Sequence, residues 1–175
     1  VGDEENIKVT YSSDLTETHR RYVTGMGFDV HRYDSARPLY LGGVHIENED
    51  GLAGHSDADV VTHAVIDAML GAAGLGDIGQ LFPDTGKEFD GADSIEMLRR
   101  ATEMVDNAGW ALTNADCTVI IDQPQIAPVK DEIEKNLSEA AGAPVTVCGK
   151  RTEGIGALGR GEGVIAIAVA LLERK

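Results

Sequence analysis

The sequence predicts an α+β domain in which helices pack on one face of a mixed β-sheet. Short apolar and β-branched runs, typical of strands, alternate with longer segments whose apolar residues recur at helical spacing. Strands interspersed with helices form layered folds in which the helices cover the sheet. The length of 175 residues suits one domain with a substantial core.

Apolar and β-branched runs place the predicted strands. We expect strands at residues 23–31, 117–121, 145–148 and 164–172, and a hairpin whose arms are residues 38–41 and 44–46. Gly42 and Gly43 lie between the arms, and such a pair favours a two-residue hairpin turn. Residues 164–172 are almost uniformly apolar, which predicts a strand buried on both faces.

Three segments have the apolar spacing of helices. The first starts within residues 56–59, where Ser56 is expected to cap the helix and Asp59 takes the acid position of a capping box. A glycine-rich loop, GLGDIGQLFPDTG, follows this helix. The other two helices are expected at about residues 94–107 and 130–141.

The chain is strongly acidic, with a formal net charge of −15. Nucleic-acid phosphates are bound by Lys and Arg, so this charge argues against a nucleic-acid partner. An anionic substrate would need metal ions or helix N-termini to supply local positive potential. Cys117 and Cys148 have neither metal-ligand spacing nor a disulfide framework, and both are expected to be small core residues.

No apolar run approaches the roughly 18 residues of a membrane span. No secretory apolar region is apparent at the start of the sequence. These observations favour a cytoplasmic enzyme or binding domain.

Asp29, His31 and His63 form a candidate metal site. Asp29 and His31 are two residues apart, so both side chains leave the same face of a strand. His63 lies seven residues after Ser56, about two turns into the predicted helix. One carboxylate and two imidazoles suit a zinc-like ion and leave a fourth position open, as catalytic zinc sites do. The alternative is a strand-end acid and two ordinary histidines.

An ordered set of motifs resembles one enzyme family, the 2-C-methyl-D-erythritol 2,4-cyclodiphosphate synthases. The motifs are GFDVHRY, LGGVHI, GLAGHSDADVVTHAVIDAMLGAAGLGDIGQLFPDT, GADS and TEGIGALGRGEG, followed by a closing apolar stretch. The resemblance runs from about Thr24 to Lys175. It implies a phosphorus–oxygen lyase of the methylerythritol phosphate pathway to isoprenoid and terpenoid precursors.

The implied reaction is an intramolecular, metal-dependent cyclisation. The 2-phosphate of 4-diphosphocytidyl-2-C-methyl-D-erythritol 2-phosphate attacks the β-phosphorus of the same molecule, CMP leaves, and 2-C-methyl-D-erythritol 2,4-cyclodiphosphate forms. The resemblance implies that Asp29, His31 and His63 hold Zn2+, and that Glu153 with substrate phosphates binds Mg2+ or Mn2+. Either Asp59 or Asp67, one helical turn on each side of His63, is a candidate to orient its second ring nitrogen.

The resemblance assigns the remaining site residues. His55 and Ser56 match positions that contact the attacking phosphate, at a helix start whose free N–H groups attract anions. Thr152, beside Glu153, is expected to donate to the α-phosphate. The substrate-binding candidates are Asp77, Gly79, Asp84, Asp122, Gln125, Lys150, Arg151 and Arg160.

These substrate-binding candidates have different expected roles. Asp77 and Gly79 match residues that grip the methylerythritol hydroxyls, with Asp84 as a further polar contact. The candidates between residues 122 and 151 lie on the cytidine side, where the chain departs from the family: Gln125 replaces a common Lys, and Lys150 and Arg151 replace small hydroxyl residues. Lys150 and Arg151 either contact phosphate or point to solvent. Arg160 is expected near the threefold axis of a homotrimer whose active sites lie between subunits. A surface salt bridge with Glu162 is its alternative role.

Residues 1–23 are predicted to be an N-terminal extension, and residues 24–175 the synthase domain. The extension resembles the closing residues of the cytidylyltransferase of the same pathway, which suggests the C-terminal half of a fused enzyme; an unrelated tail is the alternative. Two other functions stay open: a zinc phosphodiesterase, and a non-catalytic trimer that binds metal and nucleotide. The expected location is a bacterial cytoplasm, with a plastid as the alternative.

Overall fold

The protein folds around a five-stranded sheet with helices on one face. The structure, a computed structural model, describes residues 21–54, 56–82 and 92–175. The strands are β1 (Tyr22–Asp34), β2 (Leu39–Leu41), β3 (Val44–Ile46), β4 (Gly51–Leu52), β5 (Trp110–Ile120), β6 (Val145–Lys150) and β7 (Gly163–Arg174). The helices are α1 (Val60–Ala73), α2 (Ile78–Leu81), α3 (Ser94–Asn107), α4 (Lys130–Ala141) and α5 (Gly156–Gly159).

The sheet is mixed, as the sequence predicts. Its strand order is β4-β1-β7-β5-β6. Strands β5 and β6 are parallel, whereas β7 pairs antiparallel with both β1 and β5. Strands β2 and β3 form the expected hairpin, in which Gly42 and Gly43 both have positive φ angles, 57° and 72°. Glycine reaches that region without steric cost, so the turn is one that this pair favours.

Helix α1 lies very close to β1 because two glycines leave room for it. A Cβ atom on Gly25 would be 2.2 Å from the Ala68 carbonyl oxygen, and one on Gly27 would be 1.9 Å from that of Ala64. Residues two apart on a strand share a face. The next two positions on this face therefore place Asp29 and His31 beside the first turns of α1.

The opposite face of the sheet is apolar and open in the single chain. Along β7, Val164, Ala166, Ala168, Ala170 and Leu172 are fully buried, but the residues between them are exposed or half-buried. The expected burial of 164–172 on both faces is therefore wrong for one chain. Val169 is 50% exposed and lies opposite Met26, which is 70% exposed. We call Met26, Phe28, Val30, Ile165, Ile167 and Val169 the apolar sheet face.

Helix α1 begins one turn later than the Ser56 cap predicted. Its cap is Asp59, whose carboxylate accepts from the Val61 and Thr62 amides. The same buried carboxylate also accepts from the amides of Gly42 and Gly43 in the hairpin turn, at 2.9 and 2.7 Å. These long-range donors favour Asp59 as the cap.

Other local predictions have mixed outcomes. Asp93 caps α3, and α4 spans the predicted residues. Strand β5 starts at Trp110, well before the expected residue 117, and a short helix, α2, interrupts the glycine-rich loop. Cys117 is buried, which raises the pKa of its thiol to about 12, but Cys148 is exposed and is not a core residue. Among the described residues, no helix is both long and apolar enough to cross a membrane.

Candidate metal and substrate site

Asp29, His31 and His63 converge at the edge of the helix-covered face. One potential ligand atom from each residue lies within 4.8 Å of the other two. Oδ2 of Asp29 is 2.9 Å from Nδ1 of His63 and 3.0 Å from Nε2 of His31. The close packing of α1 on β1 brings His63 to the pair that β1 presents. The structure thus brings together the three residues of the candidate metal site.

In each imidazole, the ring nitrogen that faces away from the cluster lies within hydrogen-bond distance of a protein oxygen. Nδ1 of His31 donates to the Ala53 carbonyl oxygen at 2.6 Å, which leaves Nε2 of His31 to face the cluster with its lone pair. Nε2 of His63 lies 2.9 Å from Oγ of Ser94 and 3.0 Å from Oγ of Ser56, so its Nδ1 faces Asp29. Both rings therefore direct a nitrogen at the same point.

Neither acid expected to orient His63 does so. Asp59 caps α1, and Asp67 accepts from the backbone amide of Ile78 at 2.8 Å. Ser94, a residue that the sequence analysis noted only as a helix start, takes that place. Ser94 is 31 residues from His63 in the sequence, so no helical or strand periodicity links the two.

The cluster fits a divalent cation. Nε2 of His31 is buried and makes no hydrogen bond, although it lies 3.0 Å from the Asp29 carboxylate. A buried polar atom without a partner is rare in folded proteins and calls for an explanation. Three ligand atoms around one point, one oxygen and two nitrogens, form the donor set of a three-ligand zinc site.

The charges of the cluster are strongly coupled. Burial alone would raise the pKa of Asp29, but its interactions with the adjacent imidazoles of His31 and His63 outweigh it and hold that pKa well below its usual range. Burial would lower the pKa of His63, yet the Asp29 carboxylate and the negative charges of Asp59 and Asp57 raise it. Both shifts favour the charged forms, a carboxylate on Asp29 and an imidazolium on His63.

Arg37 holds the loop that carries Ser56. Its guanidinium donates from Nη1 to the Gly54 carbonyl oxygen and from Nη2 to that of Ser56, so one planar group grips both ends of the loop. Oγ of Ser56 accepts from the Ala58 amide at 3.2 Å. His55, between the two gripped carbonyls, lies outside the described residues, and Arg37 is a residue that sequence reasoning missed.

Asp67 connects the metal cluster to the loop of Asp77 and Gly79. Its bond from the Ile78 amide fixes the start of α2, which Asp77 caps by accepting from the Gln80 amide at 2.9 Å. Burial raises the pKa of Asp67, and the nearby carboxylates of Asp77 and Asp29 add to the rise. Gly79 is exposed on the same loop, and the expected contact residue Asp84 lies outside the described residues.

A cavity of about 200 Å³ contains three of the expected cytidine-side residues. Its lining residues are Ile121, Asp122, Pro124, Gln125, Ile126, Ala127, Lys130, Gly149 and Arg151. Lys130 is a cation that the sequence analysis did not single out. Lys150 is exposed at the end of β6 and is not one of the described lining residues.

Asp122 anchors the turn that presents Glu153. The Thr152 hydroxyl donates to Oδ2 of Asp122, and the Thr152 amide donates to Oδ1 at 2.8 Å. These two bonds lower the pKa of Asp122. Glu153 itself is exposed, with a left-handed φ of 54°, and it lies outside the Asp29 cluster. Arg160 pairs with Glu162 at 2.8 Å, the surface bridge that was its alternative role.

The chain resembles a large set of known proteins. The model of the YgbB family matches residues 22–173. The 2-C-methyl-D-erythritol 2,4-cyclodiphosphate synthase of Enterococcus faecalis is 49% identical over 153 residues, which are 86% of this chain and 98% of the relative. The synthase of Bordetella avium is 51% identical over 88% of this chain and 97% of its own length. The resemblance inferred from the motifs is confirmed.

Longer relatives match nearly the whole chain. The bifunctional enzyme IspD/IspF of Clavibacter michiganensis is 44% identical over 99% of this chain, and the match spans 45% of that enzyme. The structure of the bifunctional IspDF from Campylobacter jejuni superposes with a TM-score of 0.85 at 37% identity, over 99% of this chain and 49% of that one. The chain therefore spans about half the length of these bifunctional relatives.

One solved relative has a bound nucleotide. The structure of 2C-methyl-D-erythritol-2,4-cyclodiphosphate synthase in a CDP-bound form has a TM-score of 0.78 and 38% identity, over 86% of this chain and 99% of that one. Both the fold and the sequence match over nearly its full length. Together with the family model, these matches show that the chain belongs to the YgbB family, that of the 2-C-methyl-D-erythritol 2,4-cyclodiphosphate synthases.

Proposed function

We propose that the chain is a phosphorus–oxygen lyase that converts 4-diphosphocytidyl-2-C-methyl-D-erythritol 2-phosphate into 2-C-methyl-D-erythritol 2,4-cyclodiphosphate and CMP. The observation that carries the proposal is the convergence of Asp29, His31 and His63 on one point. Synthases about 50% identical over nearly their full length support it.

The attacking phosphate belongs to the substrate, so the protein supplies no nucleophile. It must fold the substrate into an attack geometry and offset the charge that builds on phosphorus and on the leaving group. Asp29, His31 and His63 are the residues that would hold Zn2+, which, when bound, polarises phosphoryl oxygen and neutralises charge.

Ser56 is suited to contact the attacking phosphate. Its oxygen accepts from the Ala58 amide and faces Nε2 of His63, so its own proton is available for an anionic oxygen. His55 is proposed to act beside it. Arg37 fixes the two carbonyls that bracket this loop and adds positive charge next to an otherwise acidic site.

The loop after α1 is proposed to recognise the methylerythritol hydroxyls. Asp77 accepts from the Gln80 side-chain amide at 2.9 Å, and a sugar hydroxyl could replace that exposed donor. Gly79 adds a backbone amide on the same loop, and Asp84 is proposed as a further polar contact. The bond from the Ile78 amide to Asp67 ties this subsite to the helix that carries His63.

The cavity around Asp122, Gln125 and Arg151 is proposed to hold the cytidine side of the substrate. Its mixed lining of apolar, carboxylate and cationic side chains suits a base with an attached phosphate. We keep Lys150 as a candidate phosphate contact beside it. Thr152 is proposed to donate to the α-phosphate.

Glu153 is the proposed ligand of a second cation. Its carboxylate is exposed and held outward by the turn that Asp122 anchors. Mg2+ or Mn2+ bound there together with substrate phosphates suits the preference of hard cations for carboxylate and phosphate oxygens. A second cation would also offset the repulsion between an acidic protein and an anionic substrate.

We propose that the subunits form a homotrimer through the apolar sheet face. Six apolar side chains on neighbouring strands form a patch that monomeric proteins rarely expose. Active sites between subunits would let the 122–128 loop and Glu153 of one chain serve the metal cluster of the next. Arg160 is proposed to lie near the threefold axis, where an anion would compete with Glu162 for it.

The N-terminal part is proposed to belong to a neighbouring enzyme. The family model starts at residue 22, close to the expected boundary between residues 1–23 and 24–175. Bifunctional relatives match the chain over 99% of its length, which supports a covalent link to the cytidylyltransferase. Residues 1–20 lie outside the described structure.

A phosphorus NMR time course tests the reaction. The substrate is incubated with the protein and Mg2+, with and without a chelator that removes Zn2+. Paired resonances of a cyclic diphosphate, appearing with CMP and lost on chelation, are the expected result. CMP with a linear phosphate product would instead establish hydrolysis, and unchanged substrate beside bound metal would establish a binding protein; either result refutes the proposal.

A further inference from the structure

A row of hydrogen bonds runs from His63 away from the metal cluster. Nε2 of His63 lies 2.9 Å from Oγ of Ser94, and the Ser94 hydroxyl donates to Oδ1 of Asp57. Oδ2 of Asp57 accepts from the Ser94 amide at 2.9 Å, so the Asp57 carboxylate accepts two hydrogen bonds from Ser94. Neither Asp57 nor Ser94 has a role in the function proposed above.

The direction of these bonds fixes which ring nitrogen of His63 carries a proton when a metal is bound. A serine hydroxyl has one proton, and that of Ser94 is committed to the Asp57 carboxylate. The Ser94 oxygen can therefore only accept from Nε2 of His63. With the proton on Nε2, the lone pair of Nδ1 points at the cluster, as a metal ligand requires.

The position of Ser94 is well fixed. Its side chain is completely buried, and it is the first residue of α3, which Asp93 caps by accepting from the Ile95 amide at 2.8 Å. The Asp57 amide donates to the Ala92 carbonyl oxygen at 3.2 Å. The segment before α1 and the segment before α3 are therefore joined by a backbone hydrogen bond as well as by side chains. Rigid support of this kind keeps a ligating ring in place.

We propose that Asp57 and Ser94 are positioning residues that set the metal affinity of the site by holding His63 as an Nδ1 ligand. The inference rests on the metal site of the proposed function. Residues that hydrogen-bond a ligating histidine change metal affinity by about 10- to 100-fold when they are replaced. Both variants below are expected in that range.

Two substitutions perturb the row in different ways. Ser94→Ala removes the hydroxyl oxygen that can only accept from Nε2, and leaves that of Ser56 at 3.0 Å. Asp57→Asn keeps the size of the side chain, but its amide would donate to the Ser94 oxygen and leave the Ser94 proton free to bond Nε2 of His63. With the hydrogen bonds reversed, the proton of His63 is favoured on Nδ1, the nitrogen that should bind the metal. Asp57→Asn should therefore weaken metal binding although the contacts among residue 57, Ser94 and His63 are kept.

The matched control is Asp93→Ala. This substitution removes the side-chain cap of the same helix one residue from Ser94, and the described bond of that cap goes to Ile95. It should lower the melting temperature of the protein but leave zinc affinity within about threefold of wild type, because His63 keeps both its neighbours.

The experiment is a zinc titration of the metal-free protein against a competing chelator dye, with each variant. A 10- to 100-fold loss in S94A and D57N, with D93A unaffected, supports the proposal. Zinc affinities of S94A and D57N within about threefold of wild type would overturn it, as would an equal loss in D93A. Wild-type protein that binds no zinc would instead overturn the metal site and the proposed function with it.

A second readout separates positioning from packing. Long-range 1H–15N spectra of the zinc-loaded protein distinguish a protonated ring nitrogen from a metal-bound one. We expect His63 to show its proton on Nε2 in wild type, and Ser94→Thr, which keeps the hydroxyl, to retain that signature. An Nδ1 proton and an Nε2 ligand in wild type would refute the assignment whatever the affinities are.

Discussion

Replacing Gly27 by alanine should separate α1 from β1 and dismantle the proposed metal site. The added Cβ would lie 1.9 Å from the Ala64 carbonyl oxygen, whereas an ordinary contact starts at 3.4 Å. The helix would have to move by the difference, roughly 1.5 Å. Because the obstacle is helix backbone, the cost should reach or exceed the about 1–3 kcal/mol typical of overpacking.

The same movement would carry His63 away from Asp29. Metal–ligand distances tolerate departures of only about 0.2 Å, so a displacement of roughly 1.5 Å should abolish three-ligand binding. We expect a fall in the unfolding free energy, measured with urea at fixed protein concentration, together with a loss of zinc binding in the dye titration.

Gly71→Ala is the matched control, because Gly71 lies in the same helix and a Cβ there meets nothing within 4 Å. Alanine in a helix is about 0.5–1 kcal/mol more favourable than glycine, so this variant should be more stable and bind zinc normally. A Gly27→Ala protein within about 0.5 kcal/mol of wild type would refute the reasoning from close approach.

Four further outcomes are expected. In metal-free protein, the raised pKa of His63 stabilises the fold below the unfolded value of 6.5, a contribution lost as pH rises through the folded pKa. The lowered pKa of Asp29 stabilises the fold above pH 3.8, and this contribution is lost as pH falls through the folded pKa. In urea unfolding, the difference in unfolding free energy between wild type and His63→Gln should therefore be largest between pH 3.8 and pH 6.5. Arg37→Lys, which cannot grip both loop carbonyls, should lower kcat about tenfold in a CMP-release assay, whereas the exposed Arg99→Lys should not. Met26→Asp should convert the proposed trimer to smaller species in sedimentation experiments, and an assembly unchanged by the substitution would show that the apolar sheet face is not the interface. Glu153→Gln should slow turnover by roughly ten- to a thousandfold and weaken the dependence on added Mg2+, whereas normal kinetics would exclude it as a cation ligand.

Local rules predicted the parts of the fold that depend on near neighbours. The Gly42–Gly43 turn, the span of α4 and the shared face of Asp29 and His31 all follow from spacing and backbone preference. The pairing of those two residues with His63 needed the additional knowledge that α1 packs on β1.

Features set by distant contacts could not be predicted. Ser56 and Asp59 are both good helix caps, and amides of the hairpin turn favour Asp59. Ser94 reaches His63 only because α3 begins beside α1. The outer residues of β7 are apolar like the inner ones, and their exposure in one chain follows from the arrangement of the helices rather than from the strand's own sequence.

The carboxylate of Asp59 joins two segments into one cooperative unit. It accepts from the Gly42 and Gly43 amides, the Val61 and Thr62 amides and the Thr62 hydroxyl. Opening either the hairpin turn or the start of α1 alone would leave a buried charge with part of its donors missing, which is costly. The two segments should therefore open together, so that local fluctuations of the hairpin are suppressed for as long as the helix end that supports His63 stays folded.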